Sequence, residues 1–412
     1  MSTRAGAAPA PVEEPARGRD RLPSVVHALA LGTFLMGTTE FVVAGLLPEI
    51  AGDLDVSVAR AGLLITVFAV GMIVGAPLTA MLTLRLPNRL TLTLALAVFA
   101  AGHAVVAAGS GFGVLLAARF VTALATGAFW SVANVVAARA AGPAARSRAL
   151  GVVGSGAMLA NVVGVPLGAF AGQFLGWRGP FWVLAALGTA AVALIVRHVP
   201  AAGPGERGVS VRSELGALRS GRVWLTLAAC ATTNAAVLGT YAYVAPLLTD
   251  GAGIDSALVP LVLVGFGAGA LAGSLAGGRL GDVRPYATTV VAAGATAVIL
   301  LAVRLLSGSA VPVTVLIVLL GFFGLGANPV LISLAVRFAG RAPTLGSALT
   351  VSAFNLGTAA GSWLAGIGLG SGLGAVGPAT VGAAVAVLTL FPTIALAGIG
   401  AGRSHDNRND QE

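Results

Sequence analysis

An isolated carboxylate, Glu40, lies within the apolar run that covers residues 31–47. A bare charge in hydrocarbon costs several kcal/mol, about 2.5 kcal/mol or more even on scales derived from cellular insertion. A chain keeps such a group where it faces a wet cavity, pairs with another group or binds a proton, and burial favours the protonated form of a carboxyl. We predict that Glu40 binds a proton or a cationic substrate. The alternative is a neutral carboxyl that hydrogen-bonds neighbouring helices.

Arg119 is the one arginine inside an apolar run. An arginine near the middle of a membrane must be paired or solvated, and Glu40 is the only carboxylate clearly within a span. Pairing with Glu40 and solvation by backbone groups would each suffice. Thr126 and Trp130 follow Arg119 at plus 7 and plus 11 and share its helical face, with Asn134 close to that face. The pattern favours a role for Arg119 in proton relay over a purely structural anchor.

Amide side chains also occur within the apolar runs, at Asn134, Asn161, Asn234, Asn328 and Asn355. Buried amides need partners, so each asparagine either bridges helices or lines a wet cavity. Tyr241 lies on the same helical face as Asn234. We predict substrate contacts among Trp130, Tyr241 and these asparagines. His103 is interpreted as a hydrogen-bonded polar residue, and a titrating role is the alternative.

The composition excludes several classes of function. The chain has 412 residues, of which 57% are hydrophobic and 9% charged, and all 24 basic residues are arginine. The absence of lysine excludes the phosphate-binding loop of ATPases and any lysine Schiff base. The single cysteine, Cys230, cannot form an internal disulfide and is expected to be inert. We expect no enzymatic activity, no metal site and no cofactor.

Apolar runs of about 20 residues, long enough to cross hydrocarbon, recur along the chain. They predict twelve spans, at 25–47, 61–82, 90–109, 112–136, 149–174, 179–197, 223–248, 257–278, 287–306, 311–336, 346–368 and 376–400. Twelve helices place both termini on the same side. Twenty of the 24 arginines fall on that side, which the preference of positive residues for the cytoplasm identifies as the inside.

The longest polar connection divides the chain into two halves of six helices. The predicted organisation is a disordered cytoplasmic tail at 1–23, an N-terminal bundle at 24–199, a cytoplasmic loop at 200–221, a C-terminal bundle at 222–400 and a cytoplasmic tail at 401–412. A shift of 198 residues aligns the halves, matching Pro48 with Pro246, Phe68 with Phe266 and Arg139 with Arg337. Two parallel six-helix repeats around a central site are typical of transporters.

The connection after the eighth span reads Gly278-Arg-Leu-Gly-Asp282-Val-Arg284. It resembles the Gly-x-Leu-x-Asp-Arg motif of the major facilitator superfamily. The matching connection in the first half keeps Arg85 and Arg89, but Leu84 stands where the motif has its acid. A carboxylate beside arginines at a helix end can hold one conformation through a charge-assisted bond, so we predict gating roles for Arg85, Arg89, Asp282 and Arg284. For the two arginines of the first half, a purely topogenic role is the alternative.

Further motifs resemble the twelve-helix drug:proton antiporters, in particular arabinose-efflux-like and chloramphenicol-efflux-like permeases. They are Gly37-Thr-Thr-Glu40-Phe, Gly45-Leu-Leu-Pro48, Gly71-Met-Ile-Val-Gly-Ala-Pro77, Gly176-Trp-Arg178 and Ala353-Phe-Asn355-Leu-Gly357. Gly164-Val-Pro166-Leu-Gly168 is similar to the antiporter motif of the fifth helix, without its doubled terminal glycine. Arg119 resembles the buried arginine of the fourth-helix motif, although Ala123 stands where the motif has glycine.

The resemblance implies an all-α membrane protein of the major facilitator fold that exchanges protons for a small, partly apolar molecule such as an antibiotic or another natural product. The expected partners are this substrate, protons and the lipid bilayer of the cytoplasmic membrane. Nucleic acid is not expected, and the chain is expected to be a monomer. The alternatives are a sugar or nucleoside exporter of the same fold and a membrane sensor that transports nothing.

Overall fold

The computed structural model describes residues 22–83, 86–109, 111–200, 220–340 and 343–409. Within these ranges, eleven helices are long and apolar enough to cross a membrane. The remaining predicted span, 346–368, lies within the helix Pro343–Leu369, whose 27 residues give a length of about 40 Å. Because this exceeds the roughly 30 Å of a hydrocarbon core, the twelve-helix all-α membrane fold is confirmed.

We number the twelve spanning helices in chain order. They are α1 Ser24–Phe41, α2 Leu63–Thr83, α3 Asn88–Ala108, α4 Phe112–Ala141, α5 Ala149–Leu175, α6 Gly179–His198, α7 Gly221–Tyr241, α8 Val259–Val283, α9 Pro285–Leu305, α10 Ala310–Phe338, α11 Pro343–Leu369 and α12 Gly377–Asn409. Proline in the first turn begins α6, α8 and α9, where its missing N–H costs nothing. Gly176, at φ 69°, makes the turn between α5 and α6 in a conformation that favours glycine.

The first span differs from its prediction. The apolar run continues to residue 47, but α1 ends at Phe41 and is followed by the 3₁₀ turn Val42–Gly45. An α-helix leaves its last four carbonyls without intrahelical partners. The end of α1 therefore presents backbone acceptors inside the bundle rather than at its surface.

Helices α4 and α5 pack against α1 in opposite directions. Successive residues of α4 meet progressively earlier residues of α1, in the pairs Arg119 with Thr39, Thr126 with Met36 and Phe129 with Gly32. Successive residues of α5 meet progressively later ones, in the pairs Val153 with Thr33 and Gly164 with Thr38. The chain therefore reverses between α4 and α5, as two separate spans require, although its backbone is helical from Phe112 to Leu159.

The first half, α1–α6, meets the second half, α7–α12, along two seams. In one seam α2 contacts α11, and the Thr66 and Ser362 hydroxyls share a hydrogen bond of 2.7 Å. In the other, α8 contacts α5, and Gly267 lies directly against the backbone of Asn161 in the π-helical turn Ala160–Gly164. The 198-residue shift moves α2 onto α8 and α5 onto α11, so the internal repeat exchanges the two seams.

The halves also close on each other at the end of the bundle opposite the chain termini. Tyr243, 1% exposed, donates a hydrogen bond of 3.4 Å to the carbonyl of Ala59, and its ring and hydroxyl lie against Gly62. Gly366 of α11 lies against the same hydroxyl. The repeat aligns Tyr243 with Gly45, so only one of the two seams carries this tyrosine.

Cys230 is fully buried in a small core cluster of the second half, where it packs with Val223, Leu227 and Ala229. Residues 1–21, 201–219 and 410–412, which contain most of the predicted tails and central loop, lie outside the described residues. The domain boundaries therefore stay a prediction.

Candidate functional site

The centre of the first half is built around Arg119, which is 1% exposed. Its Nη1 donates to the carbonyl and the hydroxyl of Thr39, both at 2.9 Å, and its Nη2 donates to the Glu40 carbonyl at 3.4 Å. Its Nε donates to the Leu64 carbonyl of α2 at 3.5 Å, and the guanidinium lies 4.1 Å from the centre of the Phe68 ring. Of the two possibilities left open by the sequence, backbone solvation is the one observed.

The end of α1 explains this geometry. Thr39 and Glu40 belong to its last turn, where carbonyls lack helical partners and the helix dipole is negative. A guanidinium offers five donors in a planar fork and so satisfies several of these acceptors at once. Arg119 thus terminates α1 and fixes it to α2 and α4.

Among the described residues, the carboxylate of Glu40 has no ion pair or hydrogen bond within contact distance, although the charge of Arg119 lies nearby. Arg119 bonds its backbone, and among the described residues no side chain forms an ion pair with the carboxylate or donates a hydrogen bond to it. The side chain of Glu40 is partly exposed, whereas Thr39 beside it is fully buried. Glu40 therefore presents a carboxyl group that is free to take up a proton or a cation.

His103 of α3 joins this centre through Thr39. The Thr39 hydroxyl lies 2.6 Å from His103 Nε2, and His103 Nδ1 lies 2.7 Å from the Phe99 carbonyl. Since a carbonyl only accepts, Nδ1 carries the proton, and Nε2 of the neutral ring accepts from Thr39. His103 is a satisfied buried residue, as interpreted from the sequence.

An aromatic cluster lies at the end of α1, where Phe41 follows Glu40. Tyr241 of α7 stacks on Phe266 of α8 with ring centres 4.1 Å apart and meets the edge of Phe41 of α1 at 6.2 Å. Tyr241 is 2% exposed. It therefore forms part of the contact between the halves in this conformation.

The three asparagines of the second half meet where α7, α10 and α11 come together. Asn234 Nδ2 donates to the Phe354 carbonyl at 3.4 Å, and Asn328 Nδ2 donates to Asn234 Oδ1 at 3.5 Å. Asn355 Nδ2 donates to the Val351 carbonyl one turn earlier, at 3.0 Å. The oxygens Asn328 Oδ1 and Asn355 Oδ1 are buried and have no hydrogen-bond partner among the described residues.

The predicted contacts in the first half are less uniform. Trp130 is half-buried, and its Nε1 is a buried donor with no acceptor in the described part of the chain. Asn134 is exposed, and Asn161 is half-buried in the π-helical turn at the seam between α5 and α8. Thr126 bonds the Met36 sulfur and so holds α4 to α1.

The predicted gating residues lie at the ends of the helices nearest the termini. Asp282 and Arg284 are exposed at the end of α8, and neither forms an ion pair with a described residue. Arg89 is partly exposed in the first turn of α3, and Arg85 lies outside the described residues. The described part of the chain contains no group of three or more potential metal-ligating side chains.

Two participants were not anticipated from the sequence. Thr39 links Arg119 to His103, and Tyr243 seals the halves at the end opposite the termini. A signal for Tyr243 was present, because the 198-residue shift sets it opposite Gly45. A threonine one position before Glu40 gave no comparable signal.

Comparison with known proteins gives consistent matches. The family model described as Major Facilitator Superfamily matches residues 29–362. A chloramphenicol resistance protein of Streptomyces lividans is 38% identical over 377 residues, covering 90% of this chain and 96% of that protein. The inner membrane transport protein YdhP of Escherichia coli K12 is 34% identical over 364 residues, covering 88% and 93%.

A solved structure shares the fold. The crystal structure of a bacterial homologue of the human lysosomal transporter Spinster, in an inward-facing and occupied conformation, superposes with a TM-score of 0.73 over 92% of this chain and 96% of that one. The identity is 19%, so this likeness concerns the fold alone. The family model and the two sequence relatives confirm the predicted superfamily and the resemblance to chloramphenicol-efflux-like permeases.

Proposed function

The chain belongs to the Major Facilitator Superfamily, and we propose that it exports a small, partly apolar molecule, such as an antibiotic or another natural product, in exchange for protons. The observation that carries the proton coupling is the Glu40 carboxyl, which lies in a membrane span and has no partner among the described side chains. The substrate class is supported by the 38% identical chloramphenicol resistance protein.

In this proposal Glu40 is the group that gains and loses the proton. Arg119 lies beside it but is held by backbone carbonyls, so its charge stays in place while the carboxyl changes state. A fixed positive charge favours release of the proton, and hydrocarbon around the site favours its uptake. Access of water from either side of the membrane then decides which effect prevails.

Transport follows from rocking of the halves about the cavity between them. The Tyr243 seal and the contact of Thr66 with Ser362 hold the halves together at the end opposite the termini. Opening toward that end requires both contacts to break. The conformation described here is therefore closed at the end opposite the termini, which the arginine distribution assigns to the outside.

Replacement of Glu40 by glutamine tests this function, because it preserves the shape of the side chain and removes the proton. Vesicles containing either form are given a pH gradient, and accumulation of a substrate identified by a growth-inhibition panel is measured. We expect Glu40→Gln to stop uphill transport and to preserve downhill exchange of a neutral substrate. Glu49→Gln, at an exposed carboxylate in the short helix Leu47–Asp53, is the matched control and should transport normally.

Accumulation by Glu40→Gln at the parent's level would show that the coupling group lies elsewhere.

A second experiment addresses the energy source. Because the chain has no lysine for a phosphate-binding loop, efflux from cells should collapse with a protonophore while ATP is held constant.

A hydroxyl-rich substrate, such as a sugar or nucleoside, is the second candidate. The observation that favours it is the pair of unpartnered amide oxygens at Asn328 and Asn355, since such acceptors suit hydroxyl donors. A transport panel containing antibiotics, sugars and nucleosides separates the two candidates.

A further inference from the structure

A cavity of about 630 Å³ lies in the second half, at the end of the bundle nearest the termini. Three helices border it, because α7 begins there, α10 ends there and α12 passes beside them. Its walls carry two arginines, Arg222 of α7 and Arg337 of α10, and two apolar side chains, Leu225 and Ile399. None of the described residues that line it is acidic.

The ring of Phe338 brings the two arginines together. The Arg222 guanidinium lies 5.9 Å from the centre of this ring, and the Arg337 guanidinium lies 5.4 Å from the same centre. Arg337 Nη2 also donates a hydrogen bond of 3.2 Å to the hydroxyl of Tyr286, at the start of α9. A guanidinium has five N–H donors, so each arginine keeps most of them for another partner. These contacts hold two positive charges at one cavity.

The positive charge of the cavity is not neutralised within the described part of the chain, where neither arginine forms an ion pair. Like charges held around one ring repel each other, and the repulsion grows near hydrocarbon because the dielectric constant falls. The start of α7 adds to the positive potential, since its first N–H groups lack helical partners and the Ser220 side chain caps none of them. The cavity therefore favours an anion with several oxygen acceptors, and phosphate has the geometry that guanidinium groups match.

Trp224 shows the depth of the cavity in the membrane. It lies two residues after Arg222 on α7 and is 55% exposed. Exposed tryptophan is enriched where hydrocarbon meets the lipid headgroups. The arginine distribution assigns this end of the bundle to the cytoplasm, and the cytoplasmic leaflet carries anionic lipids that attract basic groups beside a span. The cavity thus lies at the level where a phospholipid places its phosphate.

We propose that this cavity binds the phosphodiester headgroup of an anionic phospholipid from the leaflet on the side of the termini. Arg222 and Arg337 bind the phosphate oxygens, and Leu225 and Ile399 contact the glycerol and the first carbons of the acyl chains. A free phosphate ion would use the arginines but leave the apolar walls without a partner, which favours the lipid. The bound headgroup links the start of α7 to the end of α10, whatever molecule the protein exports.

The first test needs no substitution. The purified full-length protein, in an uncharged detergent, is titrated with short-chain phosphatidylglycerol and with phosphatidylcholine of the same acyl length, and the two affinities are measured by calorimetry. We expect phosphatidylglycerol to bind about tenfold or more tightly, because choline adds a positive charge beside the two arginines. The difference should shrink in about 1 M salt, which screens charges at an exposed site.

Two substitutions then locate the binding. Arg222→Gln and Arg337→Gln each remove one charge, so each should weaken phosphatidylglycerol binding about fivefold, and the double variant should bind the two lipids within about twofold of each other. Arg197→Gln is the matched control, because Arg197 is an exposed arginine at the same end of the bundle, in the last turn of α6 of the first half. It should keep the parent's affinities. The melting temperature without lipid shows that each variant is folded.

Equal affinity of the parent for the two lipids would overturn the proposal, and would point to a carboxylate of the chain itself as the counter-ion. A double variant that binds phosphatidylglycerol as tightly as Arg197→Gln does would also overturn it. Inorganic phosphate is the third probe. If it binds to the parent as tightly as phosphatidylglycerol does, the cavity takes a soluble anion and the lipid assignment is wrong.

Discussion

Arg119 donates to backbone carbonyls of both α1 and α2 because α1 ends beside it. The guanidinium therefore joins α1 to α2 through their backbones, and in the proposed mechanism Glu40 is the group that carries the proton. From the sequence, pairing of the two side chains was an equal possibility. The structure distinguishes pairing with the Glu40 side chain from solvation by backbone carbonyls, because α1 ends six residues before the apolar run ends and leaves its last carbonyls beside Arg119.

Thr39 is the residue through which the anchor reaches α3. Thr39→Val removes the hydroxyl that Arg119 and His103 share, so His103 Nε2 loses its partner and Arg119 Nη1 keeps only its bond to the Thr39 carbonyl. We expect the variant to lose about 1–3 kcal/mol of unfolding free energy, while Thr39→Ser, which keeps the hydroxyl, loses less than about 1 kcal/mol. Denaturant titration in detergent compares the two. Equal stability of the two variants would show that the shared hydroxyl contributes nothing.

The spanning helices were predictable because hydrocarbon demands long apolar runs. All twelve were placed, but the predicted spans end beyond the helices at the ends of α1 and α7 and short of the end of α12, which the structure puts at Phe41, Tyr241 and Asn409. The break after Phe41 occurs inside an uninterrupted apolar sequence, and the carbonyls beside it accept from Arg119 of α4. The asparagines were identified as cavity or bridging residues, yet which of their atoms are paired depends on the tertiary approach of α7, α10 and α11. A repeat in the sequence shows which helices correspond, but not how closely they pack.

The seam between α5 and α8 depends on the absence of a side chain at Gly267. A Cβ there would lie 2.5 Å from the Asn161 carbonyl oxygen, and backbone on both sides cannot move away cheaply. We expect Gly267→Ala to lower the unfolding free energy by about 1–3 kcal/mol through overpacking. Gly278→Ala, on the same helix with open space around it, should be neutral or slightly stabilising. Thermal unfolding of the two variants measures the difference, and similar melting temperatures would contradict the tight seam.

The exposed end of α8 carries Asp282, far along the helix from the Tyr241–Phe266 cluster. If it acts on the exchange between conformations, Asp282→Asn should slow turnover about tenfold and change substrate affinity less than about twofold. Affinity is measured in detergent and turnover in vesicles. Asp250→Asn, at the opposite end of the bundle, serves as the control. A large loss of affinity with unchanged maximal turnover would refute the gating role.

At the scale of the whole molecule, the two seams are related by the repeat but are not equivalent. Tyr243 fills the space between Gly62 and Gly366, whereas its counterpart in the first half is Gly45. Because only one seam carries this tyrosine, the free energy needed to separate the halves should be larger at that seam than at the other. The side that carries the tyrosine should therefore control how often the halves separate.

Gly62→Ala tests the seal, because the added methyl group would overlap the ring of Tyr243. The labelling position is Ala359, a buried residue of α11 one turn before Ser362. In a Cys230→Ser, Ala359→Cys background, we expect labelling from the side opposite the termini to accelerate about tenfold, as would follow from a shift of about 1.4 kcal/mol toward the open conformation. Tyr243→Ala should accelerate it as well.

The combination of both substitutions should give less than the sum of their separate effects, because they act on one contact. Gly52→Ala, at a glycine with open space around it, is the control. Additive effects, or a Gly62→Ala rate equal to that of Gly52→Ala, would show that Tyr243 does not seal the halves.

Because Cys230 is buried, the rate at which its thiol reacts can be used to measure how often the second half of the protein opens in the membrane. Its thiol is the only one in the chain, it is fully enclosed by the second-half core, and no lysine competes for reactive reagents. A thiol reagent can therefore modify the native chain only while that core is transiently open. The rate of modification then measures the frequency of these openings. Measured in lipid, without any engineered label, this rate gives the kinetic lifetime of the folded second half, and the same measurement with substrate present shows how far binding extends it.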